Sequence, residues 1–212
     1  MSDTPSGVVD LLGLLAYAEL SAFLRLAEDA ARLAPTLTDR AALSEVAANE
    51  YRHFRLVRDR LESLGADSEA AMAPFVAALD GWHEQTRPAD WHEALVKAYV
   101  GTGIADDFYR EMARAADPSV GGLVEEVLAD QARAEFVVER VRNAVESDPA
   151  LGGRLALWGR RLVGEALSQA HRVATSRPEL ATLVSPEDLA GIGRMFAQLT
   201  EEHNNRMAEL KL

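Results

Sequence analysis

A chain of 212 residues that is 48% hydrophobic but only 6% aromatic can bury a substantial core in one domain, and this balance favours helices over sheets. Its net charge of −12 argues against general binding to nucleic acid or to an anionic membrane, because affinity for phosphate rests on Lys and Arg. The sequence contains no cysteine, which excludes disulfides, thiolate metal sites and cysteine nucleophiles.

The apolar stretch near the N-terminus is predicted to be a core helix of a cytoplasmic protein. It lacks the basic region of a signal peptide, and Asp10, Glu19 and Arg25 interrupt it, so no uncharged run is long enough to span a bilayer. Its apolar residues recur at helical spacing, and the helix is expected to end before Pro35.

Five more long helices follow, and no segment shows the sustained alternation of a strand. Their ends are set by capping residues and by Pro and Gly. The predicted helices cover about residues 8–33, 39–64 and 91–115, the stretch from Pro118 to "SDPA", about residues 151–175, and the stretch from "SPED" almost to the C-terminus, with a short helical piece at about 70–83.

The lengths of the links predict the topology. Short links join helices one and two and helices three and four, whereas residues 66–90 form a long connection between helices two and three. This is the pattern of an all-α, ferritin-like four-helix bundle with one crossover. We expect a single domain over residues 1–212, in which 1–147 form the bundle core and 148–212 add two helices packed on it. A purely structural helical domain stays open as an alternative.

Several acidic residues interrupt the apolar stripes of these helices. Glu19 lies among apolar residues of helix one, and Glu50 stands in the stripe of helix two, three residues before His53 and therefore on the same face. Asp130 takes the central position of helix four, and Asp106 is a further candidate on helix three. Carboxylates with imidazole suit iron or manganese, so these five residues are predicted metal ligands.

In ferritin-like carboxylate proteins, each of two helices carries a Glu-x-x-His motif. Helix four departs from this pattern. Arg133 stands three residues after Asp130, where the second histidine would be, and a guanidinium cannot bind a metal because it stays protonated. We predict that Arg133 replaces at least one metal ion, since its planar fork can satisfy two carboxylates. Bound metal is therefore expected to be one weakly held ion or none.

Three stretches, "NEYRHF", "DWHEALVKAYVGTGIADDFYREM" and "EEHNNRMAEL", resemble a family of actinobacterial ferritin-like proteins that is similar to the diiron tRNA hydroxylase MiaE. The resemblance implies that Glu19, Glu50, His53 and Asp130 match the ligands of the family. Thr102 falls where the family has an acid, and Asp106 lies one turn later.

The resemblance implies a non-haem diiron hydroxylase that activates oxygen, with a site made degenerate by Arg133. Two alternatives stay open: an active diiron or single-metal oxygenase acting on a tRNA-like or small-molecule substrate, and a non-catalytic helical interaction module. We expect a homodimer that does not bind membranes. Binding of tRNA is implied by the resemblance alone, although the basic residues of helix five could guide an RNA.

Overall fold

The computed structural model describes residues 6–114, 118–127, 132–177, 180 and 189–212. These residues form helices joined by short turns, and none of them lies in a strand. The helices are α1 (Ser6–Leu33), α2 (Leu37–Ser63), α3 (Ser68–Met72), α4 (Val76–Gln85), α5 (Trp91–Val96), α6 (Thr102–Arg114), α7 (Pro118–Val127), α8 (Ala132–Ser147), α9 (Pro149–Ser176) and α10 (Leu189–Glu209). A 3-10 turn, Ala73–Phe75, joins α3 to α4.

Side-chain caps define several helix starts. The hydroxyl of Thr36 accepts a hydrogen bond from the backbone N–H of Asp39 at the start of α2, and the carboxylate of Asp90 accepts one from the N–H of Glu93 at the start of α5. Asp148 caps α9 in the same way. Each cap satisfies an N–H that has no partner within its own helix, so the local sequence fixes where these helices begin.

The arrangement of the helices confirms the predicted all-α, ferritin-like architecture. The helix α1 packs along the length of α2, and α6 packs against α7. The connection from α2 to α5 carries α3 and α4 across α1, so it is a long crossover and not a tight turn. The added helices α9 and α10 pack on each other and on the helices that follow the crossover.

The core consists of two apolar clusters. One surrounds Leu11, Phe54 and Phe75, and the other surrounds Leu43 and Leu155. On α1 and α2, buried acids lie between the two clusters. The bundle therefore has a polar region between two apolar layers. The helix Gly7–Leu33 is long and apolar enough to cross a membrane by length and composition, but 61% of its most apolar window is buried inside the bundle.

Helix three differs from the prediction of one continuous helix. A π-helical segment, Lys97–Gly101, separates α5 from α6. The indole of Trp82 lies against Gly101 so closely that a Cβ there would be 2.8 Å from Cη2 of the ring. The ammonium of Lys97 donates to the carbonyl of Thr86 at 2.8 Å. The segment therefore turns Lys97 towards the crossover, and such segments are frequent at functional sites.

Substituting Gly13 by Ala should weaken the attachment of the crossover. A Cβ at Gly13 would lie 2.2 Å from the carbonyl oxygen of Ala71 in α3, and backbone must move to admit it. We expect a loss of about 1–3 kcal/mol in the free energy of unfolding, measured by urea denaturation. Gly164 is the control, because a Cβ there meets nothing within 4 Å, so Gly164→Ala should be neutral or stabilise α9.

Candidate metal centre and its cavity

Three predicted ligands, Glu19, Glu50 and His53, lie together in the centre of the bundle. Each offers one donor atom, and the three atoms are within 4.8 Å of one another. Nδ1 of His53 is 3.5 Å from Oε2 of Glu19 and 3.8 Å from Oε2 of Glu50. All three side chains are buried, and Glu50 is only 1% exposed. In the described part of the chain they form the one such group that could hold a metal ion.

Two helices bring this group together. Glu50 and His53 are three residues apart on α2, so both side chains project from one face. Glu19 comes from α1, which packs along that face. The residues one turn away on the same faces, which include Ala16, Ala47 and Phe54, are apolar and buried, so water is kept from the three polar heads.

The two distances from His53 to the glutamates fit a single metal ion. Two donor atoms that each lie about 2.1 Å from an ion are about 3.0 Å apart at a right angle and about 4.2 Å apart on opposite sides. The two distances from Nδ1 of His53, 3.5 and 3.8 Å, fall within this interval. Nδ1 also makes no hydrogen bond in the described part of the chain. The donor set of two carboxylates and one imidazole suits iron or manganese.

A fourth acid and a tyrosine lie near the same site. Asp106 and Tyr109 of α6 line the cavity that also contacts Glu19 and Glu50. Burial raises the pKa of Tyr109 well above its usual value, and the charges of Glu19 and Asp106 raise it further, so the phenol keeps its proton. The sequence analysis did not single out Tyr109, although its spacing of three residues from Asp106 places both on one face.

Some predicted residues cannot be placed in this site. Asp130 lies outside the described residues, and the side chain of Arg133 is also outside them, so their roles stay predictions. Thr102 lines the cavity. Asp107 takes no part in the site, because its carboxylate forms ion pairs with Arg206 and Arg110.

The fifth long helix of the sequence analysis is α9 in the structure, and some of its basic residues form structural contacts. Arg154 of α9 pairs with Asp90 and Glu93, each at 2.6 Å. Nε of Arg177 donates to Asp10 at 3.1 Å. These ion pairs tie α9 to α5 and α1, which gives the basic residues a structural reason that does not involve RNA.

Glu19 and Glu50 of the metal group line a cavity of about 160 Å³. The cavity runs between α1, the crossover helix α4, the helices α5 and α6, and α9, and most of its wall is apolar. Its wall includes Leu14, Ala18, Leu79, Ile104, Phe108 and Val173. A cavity of about 150 Å³ can hold a molecule the size of benzene, so a small organic ligand fits beside the metal group.

Towards the C-terminal end of α1, the cavity has a polar end, whose buried groups the sequence analysis did not assign to a site. Asp29 of α1, Lys97 of the π-helical segment and His83 of α4 all line it, and each is at most 9% exposed. Burial raises the pKa of Asp29 to about 6, and burial lowers the pKa of Lys97 to about 8. Burial and the nearby charge of Lys97 lower the pKa of His83 to about 2, so its imidazole is neutral.

One further histidine, His203 of α10, is also buried. It is 2% exposed, and burial lowers its pKa. Its Nδ1 has no hydrogen-bond partner in the described part of the chain.

Comparison with known families agrees with this geometry. The family described as "Ferritin-like domain, actinomycetes" matches residues 3–187. No curated protein matches the chain. The similarity to MiaE, which the sequence analysis expected, therefore stays a prediction.

The raised pKa of Asp29 predicts that the difference in stability between the wild type and Asp29→Asn depends on pH. The folded state raises the pKa of Asp29 to about 6 from 3.8, so it holds the proton more tightly than the unfolded chain does. This contribution is present below about pH 4 and is lost as the pH rises to about 6. Relative to the wild type, Asp29→Asn should gain up to about 2–3 kcal/mol of unfolding free energy across that range, measured by urea denaturation. A difference that does not change with pH would contradict this prediction.

Proposed function

The chain belongs to the ferritin-like domain family of actinomycetes, and we propose that it binds one iron or manganese ion through Glu19, Glu50 and His53 and oxidises a small organic substrate in the adjoining cavity. The observation that carries this proposal is the convergence of three buried donor atoms within 4.8 Å beside a mostly apolar cavity.

The charges of the three residues support a cation at their centre. Two carboxylates in a desolvated site oppose each other's ionisation, and a divalent ion between them offsets the repulsion between their negative charges. Three protein ligands leave coordination positions free, so an iron ion held there would supply dioxygen activation. Asp106 is a further carboxylate on the wall of the same cavity.

The surroundings suit the oxidation of an apolar molecule. The buried phenol of Tyr109 holds its proton beside Glu19 and Asp106, so a hydrogen-bond donor is kept at this end of the cavity. The apolar walls exclude water, which protects a reactive species from side reactions. They also orient an apolar substrate along the cavity between α1 and α6.

Metal content tests the proposal. Purified from cells supplemented with iron or manganese, the wild type should contain about one ion per chain by elemental analysis. Glu50→Gln removes a charged ligand and should weaken metal affinity by more than about tenfold. Glu45→Gln is the matched control, because Glu45 is an exposed glutamate on the same helix, and it should bind as the wild type does. A wild type without metal would instead support the non-catalytic interaction module.

We further propose that Arg133 occupies the place of a second metal ion. The proposal rests on the position of Arg133 three residues after Asp130 in the sequence, where a ligand histidine would complete a second Glu-x-x-His-like pair. Arg133→His should therefore raise the metal content from about one to about two ions per chain. Arg142→His, on the same helix, should not change it. Two tightly bound ions in the wild type would contradict the proposal and favour a diiron oxygenase.

A further inference from the structure

The polar end of the cavity has the groups needed to hold one part of a ligand. His83 is 9% exposed and lines the cavity, and its Nδ1 has no hydrogen-bond partner in the described part of the chain. Lys97 lines the same end, with its ammonium 4.8 Å from the centre of the Trp82 ring. A buried polar atom without a partner is costly, so it indicates a group that is satisfied by something else.

The hydrogen bonds around His83 fix which kind of group is missing. The hydroxyl of Ser21 donates to the carbonyl of Ala18 at 3.0 Å, so its hydrogen is already used. Nε2 of His83 lies 3.3 Å from Oγ of Ser21 and must therefore be the donor in that pair. A neutral imidazole has only one N–H, which leaves Nδ1 as an acceptor. The missing partner is a hydrogen-bond donor.

Lys97, in contrast, needs a hydrogen-bond acceptor. One of its three N–H donors is bound to the carbonyl of Thr86, and the others remain for an acceptor. Asp29 interacts electrostatically with Lys97, and Arg25, which lines the same cavity, pairs with Glu28, so both positive charges are already offset. A ligand carboxylate would be repelled by Asp29, whereas a neutral hydroxyl can donate to His83 and accept from Lys97.

We propose that the cavity takes a small apolar alcohol, whose hydroxyl is held by His83 and Lys97 and whose apolar body extends along the cavity towards Glu19 and Glu50. The volume of about 160 Å³ suits a body about the size of benzene. Along α1, Asp29 is ten residues after Glu19, about 15 Å along the helix axis, whereas Ser21, which contacts His83, is only two residues after Glu19. The inference that this alcohol is the substrate rests on the proposed function. Binding of the alcohol in the cavity does not require metal.

Three probes of similar size test the inference on metal-free protein. Benzyl alcohol, toluene and benzoate share the ring and differ in the polar group. A cavity without a partner for the hydroxyl would favour toluene by more than about tenfold, because burying an unpaired hydroxyl is unfavourable. We expect benzyl alcohol to bind at least as tightly as toluene and more tightly than benzoate, measured by calorimetric titration. Toluene binding more than tenfold tighter, or benzoate binding tightest, would overturn the proposal.

Substitution at His83 locates the hydrogen bond. His83→Leu should weaken benzyl alcohol about fivefold and leave toluene unchanged. His83→Asn keeps an acceptor near the position of Nδ1 and should weaken benzyl alcohol less, which also covers the case in which the leucine variant does not fold. The control is His92→Leu, because His92 is a half-buried histidine that does not line this cavity. Equal weakening of toluene and benzyl alcohol by His83→Leu would contradict the inference.

Metal binding, measured on the same preparations, separates this inference from the proposed function. If metal is absent but the preference for benzyl alcohol and its dependence on His83 are found, the proposed function fails and the cavity site stands. If metal binds at Glu19, Glu50 and His53 but the preference for benzyl alcohol is absent, the cavity site fails and the metal binding of the proposed function stands.

Discussion

The burial of two glutamates in the centre of a helical bundle is the constraint on which the rest of this structure depends. A charge in an apolar interior is tolerated only with a compensating partner. Glu19 and Glu50 lie between the two apolar clusters of the core, and His53 faces both. The chain keeps these acids where their solvation is poorest, which is understandable if a cation is bound there and hard to explain as a contribution to packing alone.

Two other buried acids, Asp10 and Asp39, form ion pairs with arginines. Asp10 pairs with Arg177, and Asp39 pairs with Arg140. In each case a partly exposed arginine from later in the chain reaches a buried carboxylate of α1 or α2. The Asp10–Arg177 pair holds the end of α9 on the bundle, and the Asp39–Arg140 pair joins α8 to α2. The acids of the candidate metal centre lie beside an imidazole, whose neutral form can bind a metal.

The crossover links the architecture to the cavity. A simple up-and-down bundle would close its core with side chains, but here α4 lies across α1 and brings His83 to the cavity wall. The π-helical segment turns Lys97 towards the same place, and Gly101 leaves room for Trp82. The result is a mostly apolar cavity whose wall carries Glu19, Glu50 and Asp106 in one part and Asp29, Lys97 and His83 in another.

The sequence by itself determined the helical elements, the long crossover and the core of the candidate site. Apolar periodicity and capping residues are local signals, and a Glu-x-x-His pair within one helix, Glu50 and His53, carries its geometry in its spacing. Only the tertiary structure decided which of the remaining polar residues meet. The π-helical segment shifts the register by about one residue, a change that periodicity cannot resolve, so the position of Lys97 was not predicted. Asp29, His83 and Tyr109 come from three different helices, and their burial depends on how those helices pack, which no single stretch of sequence encodes.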